Sequence, residues 1–191
     1  MTIIENHFKN LGIELSSDCK EALLDFSFQK YKKGSYLLKE GSLSKNIGFL
    51  VKGKIIHYYN IEGKQITRWV SLQNDFVTGF TSFVNKSPSL ENLLCIEDSE
   101  IVMYNREYFM QTLMSFAEIQ AAWRSILENN MVGYEHRVYQ LLTTNADERY
   151  LNFQKEYPQF ISQVPQKYIA SMLGIEPRHL SRIRKKIFKS K

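Results

Sequence analysis

The segment 165–183 constrains the fold more tightly than any other part of this chain. It reads Pro165-Gln166-Lys167-Tyr168-Ile169-Ala170-Ser171-Met172-Leu173-Gly174-Ile175-Glu176-Pro177-Arg178-His179-Leu180-Ser181-Arg182-Ile183. Pro165 stands near a helix start, where a missing N–H costs nothing. Ile169 and Leu173 share one face of that helix, and Ala170 is small where a second helix must come close. Gly174 falls just past the helix end, where a left-handed residue closes the last turn. Ile175 plugs the turn, and Pro177 opens the next helix. Leu180, Ile183 and Ile187 then recur at the spacing of one buried stripe. Two short helices around a glycine turn, the second with a basic outer face, predict a helix-turn-helix. An ordinary helical hairpin with a charged surface is the plainer alternative.

In a helix-turn-helix the N-terminal half of the second helix enters the major groove. Arg178 and Arg182 are the candidate base readers, because a guanidinium can grip guanine O6 and N7 with two hydrogen bonds. His179 and Ser181 are candidate adjacent contacts. Lys167 is a further candidate DNA contact, and Arg184, Lys185, Lys186 and Lys189 suit phosphates, which set affinity and register but not sequence. The charge distribution points the same way. Residues 151–191 carry 9 Lys/Arg against 2 Asp/Glu, whereas residues 1–150 carry 16 against 18. Such asymmetry implies a polyanion, here double-stranded DNA, at the basic end. The bland alternative is a solvated basic tail.

Upstream the pattern differs. Residues 2–26 read as helical, with Asp18 and Glu21 spaced like a capping box ahead of Ala22, Leu23 and Phe26. Short runs rich in β-branched and aromatic residues follow at 28–31, 36–39, 47–51, 55–59, 65–70 and 101–104. Glycines punctuate them, which predicts an antiparallel sandwich or barrel. The stretch Ile61-Glu62-Gly63-Lys64 predicts a tight hairpin turn. From 116 to 142 there is no proline, and Phe116, Ile119, Trp123, Leu127, Met131, Tyr134, Val138 and Leu141 form one helical stripe. A helix of that length either packs wholly on its own domain or pairs with its copy. Pairing is the reading taken, through Ile119, Trp123, Leu127, Met131 and Tyr134, although Asn130 and Gly133 interrupt the seam. Asn145 to Asp147 suggest a boundary, followed by a short helix that ends at Pro158.

Several classes fit poorly. No run reaches the roughly 18 apolar residues of a membrane helix, and the N-terminus lacks the basic start and apolar core of a secretory leader. Two cysteines, Cys19 and Cys95, suit a reducing compartment, so the expected location is the cytoplasm. His7, His57, His136 and His179 are scattered, and neither cysteine has a partner at ligand spacing, so no metal site or haem is expected. A metal oxygenase would need converging histidines and a carboxylate. No nucleophilic triad signature exists either, and the chain is not expected to be an enzyme. The remaining rival is a small-molecule or protein-binding module that does not touch DNA.

The glycine-punctuated strands, the long helix and the terminal helix-turn-helix together resemble the Crp/Fnr family of transcription regulators. The resemblance rests on Lys33-Gly34-Ser35, Glu40-Gly41 and Phe49-Leu50-Val51-Lys52-Gly53 in the sheet region. It also rests on Ile169 to Ile175 with Leu180-Ser181-Arg182-Ile183-Arg184-Lys185, which is similar to the variety in Bacteroidetes-like members. It implies an α+β chain in three parts. These are an antiparallel, jelly-roll-like β-roll sensor domain with N-terminal helices over 1–115, a long dimerisation helix over 116–144, and a helix-turn-helix domain over 145–191. It further implies a homodimer on a two-fold DNA site, effector control from the β-roll, and RNA polymerase as a further partner.

The phosphate-binding cassette departs from the family. Nucleotide-binding members carry a Gly-Glu pair for the ribose and, about ten residues later, an Arg for the cyclic phosphate. Aligned from Asp75-Phe76, this chain has Gly79 in place of the Glu and Ser89-Leu90 in place of Arg-Ser. A buried phosphate without a cation is costly, so cyclic AMP is not expected to bind tightly and no cofactor is named. Thr78, Gly79, Phe80, Thr81, Ser82, Ser87 and Ser89 either line a pocket for another small effector or form a self-satisfied loop.

Overall fold

Glycine and short β-branched runs favour tight hairpins, and the chain builds them. The computed structural model describes residues 3–189. Two short helices come first, α1 (Ile3–Asn10) and α2 (Ser17–Ala22). Strands β1 (Ser27–Tyr31), β2 (Tyr36–Leu38), β3 (Asn46–Lys52), β4 (Ile55–Ile61), β5 (Lys64–Ser71) and β6 (Phe76–Val77) follow. Then come α3 (Phe80–Asn85), β7 (Asn92–Cys95) and β8 (Ser99–Asn105). The rest is helical: α4 (Arg106–Ser115), α5 (Ala117–Thr143), α6 (Ala146–Glu156), α7 (Pro158–Gln163), α8 (Gln166–Met172) and α9 (Pro177–Lys189).

The strands form two four-stranded antiparallel sheets, ordered β1-β8-β3-β6 and β2-β7-β4-β5. Leu50, Ile55, Leu93, Cys95 and Ile101 fill the space between them. Gly63 shows why the β4–β5 hairpin closes so tightly. Glu62 and Gly63 both have positive φ (51° and 77°) between the paired Ile61 and Lys64, as a two-residue hairpin turn requires.

Three local details differ from the sequence reading. The first helical stretch is broken, and Ser16, not Asp18, caps α2 by accepting the Cys19 N–H at 3.2 Å. The helix ends at Ala22, which leaves Leu24 and Phe26 exposed. Strands β6 and β7 carry no alternation a reader could use, since β6 has two residues and β7 opens on Asn92, a poor strand former. Pro158 does not only end a helix; it occupies the first turn of α7.

The C-terminal helices do not float free. Ile56, Val70 and Leu72 of the β-roll share one apolar cluster with Tyr150, Phe153, Phe160, Ile169, Leu173 and Ile183. Trp69 packs on Tyr157 and Phe160, with ring centres 5.6 and 5.0 Å away. The Thr67 N–H donates to Ser171 Oγ at 2.8 Å, so the edge of β5 is tied to α8.

Candidate nucleic-acid interface and sensor loop

The turn between α8 and α9 is a Schellman closure. Gly174 takes φ +63°, its N–H donates to Ser171 O (3.2 Å), and the Ile175 N–H reaches back to Ala170 O (2.9 Å). Ala170 is fully buried where the helices meet. Glu176 accepts the Leu180 N–H at 3.0 Å, which puts Pro177 in the first turn of α9. Leu180 and Ile183 are buried and Ile187 packs beside them. The opposite face therefore points outward. Arg178, Ser181, Arg182, Lys185 and Lys186 are exposed, and Arg184 lies half-buried on a flank. Arg178, Arg182 and Lys185 follow one another at i, i+4 and i+7, so they form one cationic ridge.

Other predicted contacts sit off that ridge. His179 faces Asp147 of α6 at 3.8 Å, and Lys186 reaches the same carboxylate at 3.3 Å. Both flank the ridge toward the supporting helix. Lys167 is exposed at the start of α8 with its ammonium over Tyr168. The side chain of Lys189 lies outside the described residues.

The long helix splits into two halves. Ile119 is buried in its own chain, and Trp123 packs edge-on to Phe109 at 5.2 Å. Both residues pack against the β-roll core of their own chain, Ile119 fully and Trp123 with part of its ring still open. Leu127 is half-buried. Beyond it the helix leaves the core, and Met131 and Tyr134 are exposed together with Val138 and Leu142. The exposed apolar strip therefore lies along the C-terminal part of α5, on Met131, Tyr134, Val138 and Leu141 of the expected stripe.

The cassette around α3 is closed upon itself. Ser82 Oγ accepts the Ser44 N–H (2.9 Å) and donates to Ser87 O (2.5 Å). Thr78 Oγ1 donates to Asn46 O at 2.9 Å and lies 3.0 Å from Ser44 Oγ. Ser89 Oγ is held between the Glu91 carbonyl and N–H at 2.8 and 3.1 Å. A Cβ on Gly79 would lie 2.3 Å from Leu38 Cδ2, so no glutamate fits there without repacking. Thr81 and Phe80 are exposed. Of the seven predicted cassette residues, only Thr78 and Phe80 reach the large cleft described below.

A second polar cluster escaped sequence reasoning. Inside the second sheet, Arg68 Nε donates to Glu91 Oε2 at 2.9 Å, and its Nη2 lies 3.2 Å from His57 Nδ1. His57 Nε2 meets Ser71 Oγ at 2.9 Å, and Arg68 also bonds the Tyr134 hydroxyl of α5. Burial pushes the His57 imidazole below its usual pKa, helped by the Arg68 charge, so the ring stays neutral. Burial acts to raise the Glu91 carboxyl, but His57 and Arg68 outweigh it and hold the group below the usual carboxylate range. The partners lie at 57, 68, 71, 91 and 134, so no local motif announces them. Among the described residues no group of three His, Cys, Asp or Glu is placed to hold a metal ion.

Residues 28–116 match the sequence family described as the cyclic nucleotide-binding domain. Among curated proteins none matches the sequence. The fold is shared with solved regulators. A CooA variant from Carboxydothermus hydrogenoformans superposes with TM-score 0.73 at 18% identity, over 95% of this chain and 84% of that one. FixK2 from Bradyrhizobium japonicum gives 0.74 at 14%, over 86% and 85%. A transcriptional regulator of the Crp/Fnr family from Eubacterium rectale gives 0.70 at 16%, over 97% and 89%. The chain therefore has a cyclic nucleotide-binding-type sheet domain within the architecture of Crp/Fnr-type regulators. No described helix is long and apolar enough to cross a membrane.

Proposed function

We propose that this protein is a sequence-specific, DNA-binding transcription regulator of the Crp/Fnr type, not an enzyme, and that it acts as a cytoplasmic homodimer. One observation carries the reading: the exposed ridge Arg178, Arg182 and Lys185 backed by the buried stripe of α9. A helix anchored by one face and cationic on the other suits a major groove. Arg178 and Arg182 read bases, while Lys167, Lys185 and Lys186 meet phosphates. The exposed strip Met131, Val138 and Leu142 supplies the seam for a second chain. Gly79 and Ser89 stand where nucleotide-binding members carry a carboxylate and an arginine, which disfavours cyclic AMP as the effector; RNA polymerase is the further partner expected of such a regulator.

Selection of bound duplexes from a random pool tests the reading. It should return a two-fold-related site. On that site Arg182→Ala should cost about 1–3 kcal/mol and blur preference at one base pair. Lys185→Ala should instead weaken all duplexes alike and flatten the salt slope by about one. A salt-independent association, or no enrichment, sinks the reading and favours a module that does not bind DNA.

A further inference from the structure

A cleft of about 930 Å³ runs between the sheet edge at β5, the inner face of α5 and the α6–α7 pair. Aromatic rings line part of its wall, with Trp69 backed by Tyr157 and Phe160 on one side and Trp123 at one end. Three arginines, Arg68, Arg137 and Arg149, face the same space. Their charges are not equally answered. Arg68 is paired with Glu91 at 2.9 Å. Glu156, also on the wall, is held by His136 (3.3 Å) and Gln140 (3.1 Å).

Among the described residues Arg137 has no carboxylate partner. Its guanidinium donates to Arg68 O and, at 2.7 Å, to Met172 O, and its other ionisable neighbours are Tyr59, Tyr134, Tyr157 and Arg68 itself. Burial, with the Arg68 charge beside it, pulls its pKa below the usual guanidinium range. Among the described residues Arg149 likewise bonds only carbonyls, of Gln140, Leu141 and Thr144, and its buried Nε has no hydrogen-bond partner there. A part-buried guanidinium that meets only neutral oxygens is poorly compensated, and an oxyanion head would satisfy it.

We infer that this cleft is a binding site for a small aromatic anion, its ring against Trp69 and its anionic head at Arg137, with Arg149 as a secondary cation. The inference is independent of the DNA-binding reading, because the free protein alone is enough to test it. Both tryptophans of the chain, Trp69 and Trp123, line the cleft and report its occupancy. The probe is 8-anilinonaphthalene-1-sulfonate, titrated into the full chain and followed by energy transfer from tryptophan. The neutral N-phenyl-1-naphthylamine serves as control.

Saturable binding of one sulfonate per chain is expected, with the neutral probe about tenfold weaker, as loss of a charge-assisted contact implies. Arg137→Gln should weaken the sulfonate about tenfold and leave the neutral probe unchanged, whereas Arg137→Lys should stay within about threefold. Because Arg137 also braces two carbonyls, Arg149→Gln gives a second variant, expected to weaken the sulfonate about threefold if Arg137→Gln does not fold. Equal affinity for both probes overturns the proposal. So does unchanged sulfonate binding in the variants that fold, or binding that falls in step with dimer formation, since a second chain would then be the occupant.

Discussion

The segments around α3 and α9 are both rich in polar side chains, yet they direct those groups oppositely. Around α3 the hydroxyls of Ser44, Thr78, Ser82 and Ser89 turn inward and meet backbone atoms or one another. Along α9 the guanidinium and ammonium groups of Arg178, Arg182 and Lys185 turn outward. A hydroxyl whose bonds are already made inside the chain has little left for a ligand. A solvated cation on a rigid helix keeps its full capacity. Composition alone does not separate these cases; the difference lies in where each group's partners sit.

Three experiments break or sharpen that contrast. The largest effect is expected on α9. Reversing the ridge with Arg178→Glu and Arg182→Glu should lower duplex affinity about 100-fold or more in an anisotropy titration. The melting temperature should barely move, because surface substitutions stay within about 0.5 kcal/mol. An unfolded double variant, or one that still binds duplex, erases the contrast. Next comes Gly79→Glu, which restores the family's carboxylate at the cassette. Its side chain must displace Leu38, so urea unfolding should show a loss of about 1–3 kcal/mol. A variant as stable as the parent would mean that the loop is looser than its contacts imply.

The smallest effect concerns Asp75, at the entry to the cassette. Burial raises its carboxyl to about 6, although the Leu72 N–H donates to it at 2.8 Å. The folded chain therefore holds this proton more tightly than the unfolded one. Its contribution is full below the usual value of 3.8 and is lost as pH rises toward 6. Asp75→Asn keeps an oxygen for Leu72 and should gain about 2 kcal/mol at pH 7. That gain should vanish below about pH 4. A pH-independent difference would place its cause elsewhere.

The readable parts of the sequence were those whose constraints are local. Gly174, Ile175, Pro177 and the Leu180–Ile183–Ile187 spacing lie within a few turns of one another, and the helix pair forms as their spacing requires. The Glu62-Gly63 turn and the long helix were legible for the same reason. What the sequence left unread shares the opposite cause. Trp123 falls on the helical stripe by period, but its packing on Phe109 of the preceding helix is not visible in that spacing. β7 shows no alternation and exists because β2 and β4 flank it. The Arg68–Glu91–His57 cluster joins residues that only the folded sheet brings together. The proposed DNA contacts rest on side chains whose outward placement the spacing on α9 already implied.

The apolar cluster that runs from Ile56, Val70 and Leu72 into α6–α9 carries one more consequence. The tail cannot be excised as a self-sufficient reader, because its floor belongs to the sheet. Calorimetry should record one melting event instead of two, and a gene trimmed to the last fifty or so codons should express an adhesive, unstructured peptide. Whatever loosens β4 and β5 should therefore loosen the seating of α9 in the same stroke.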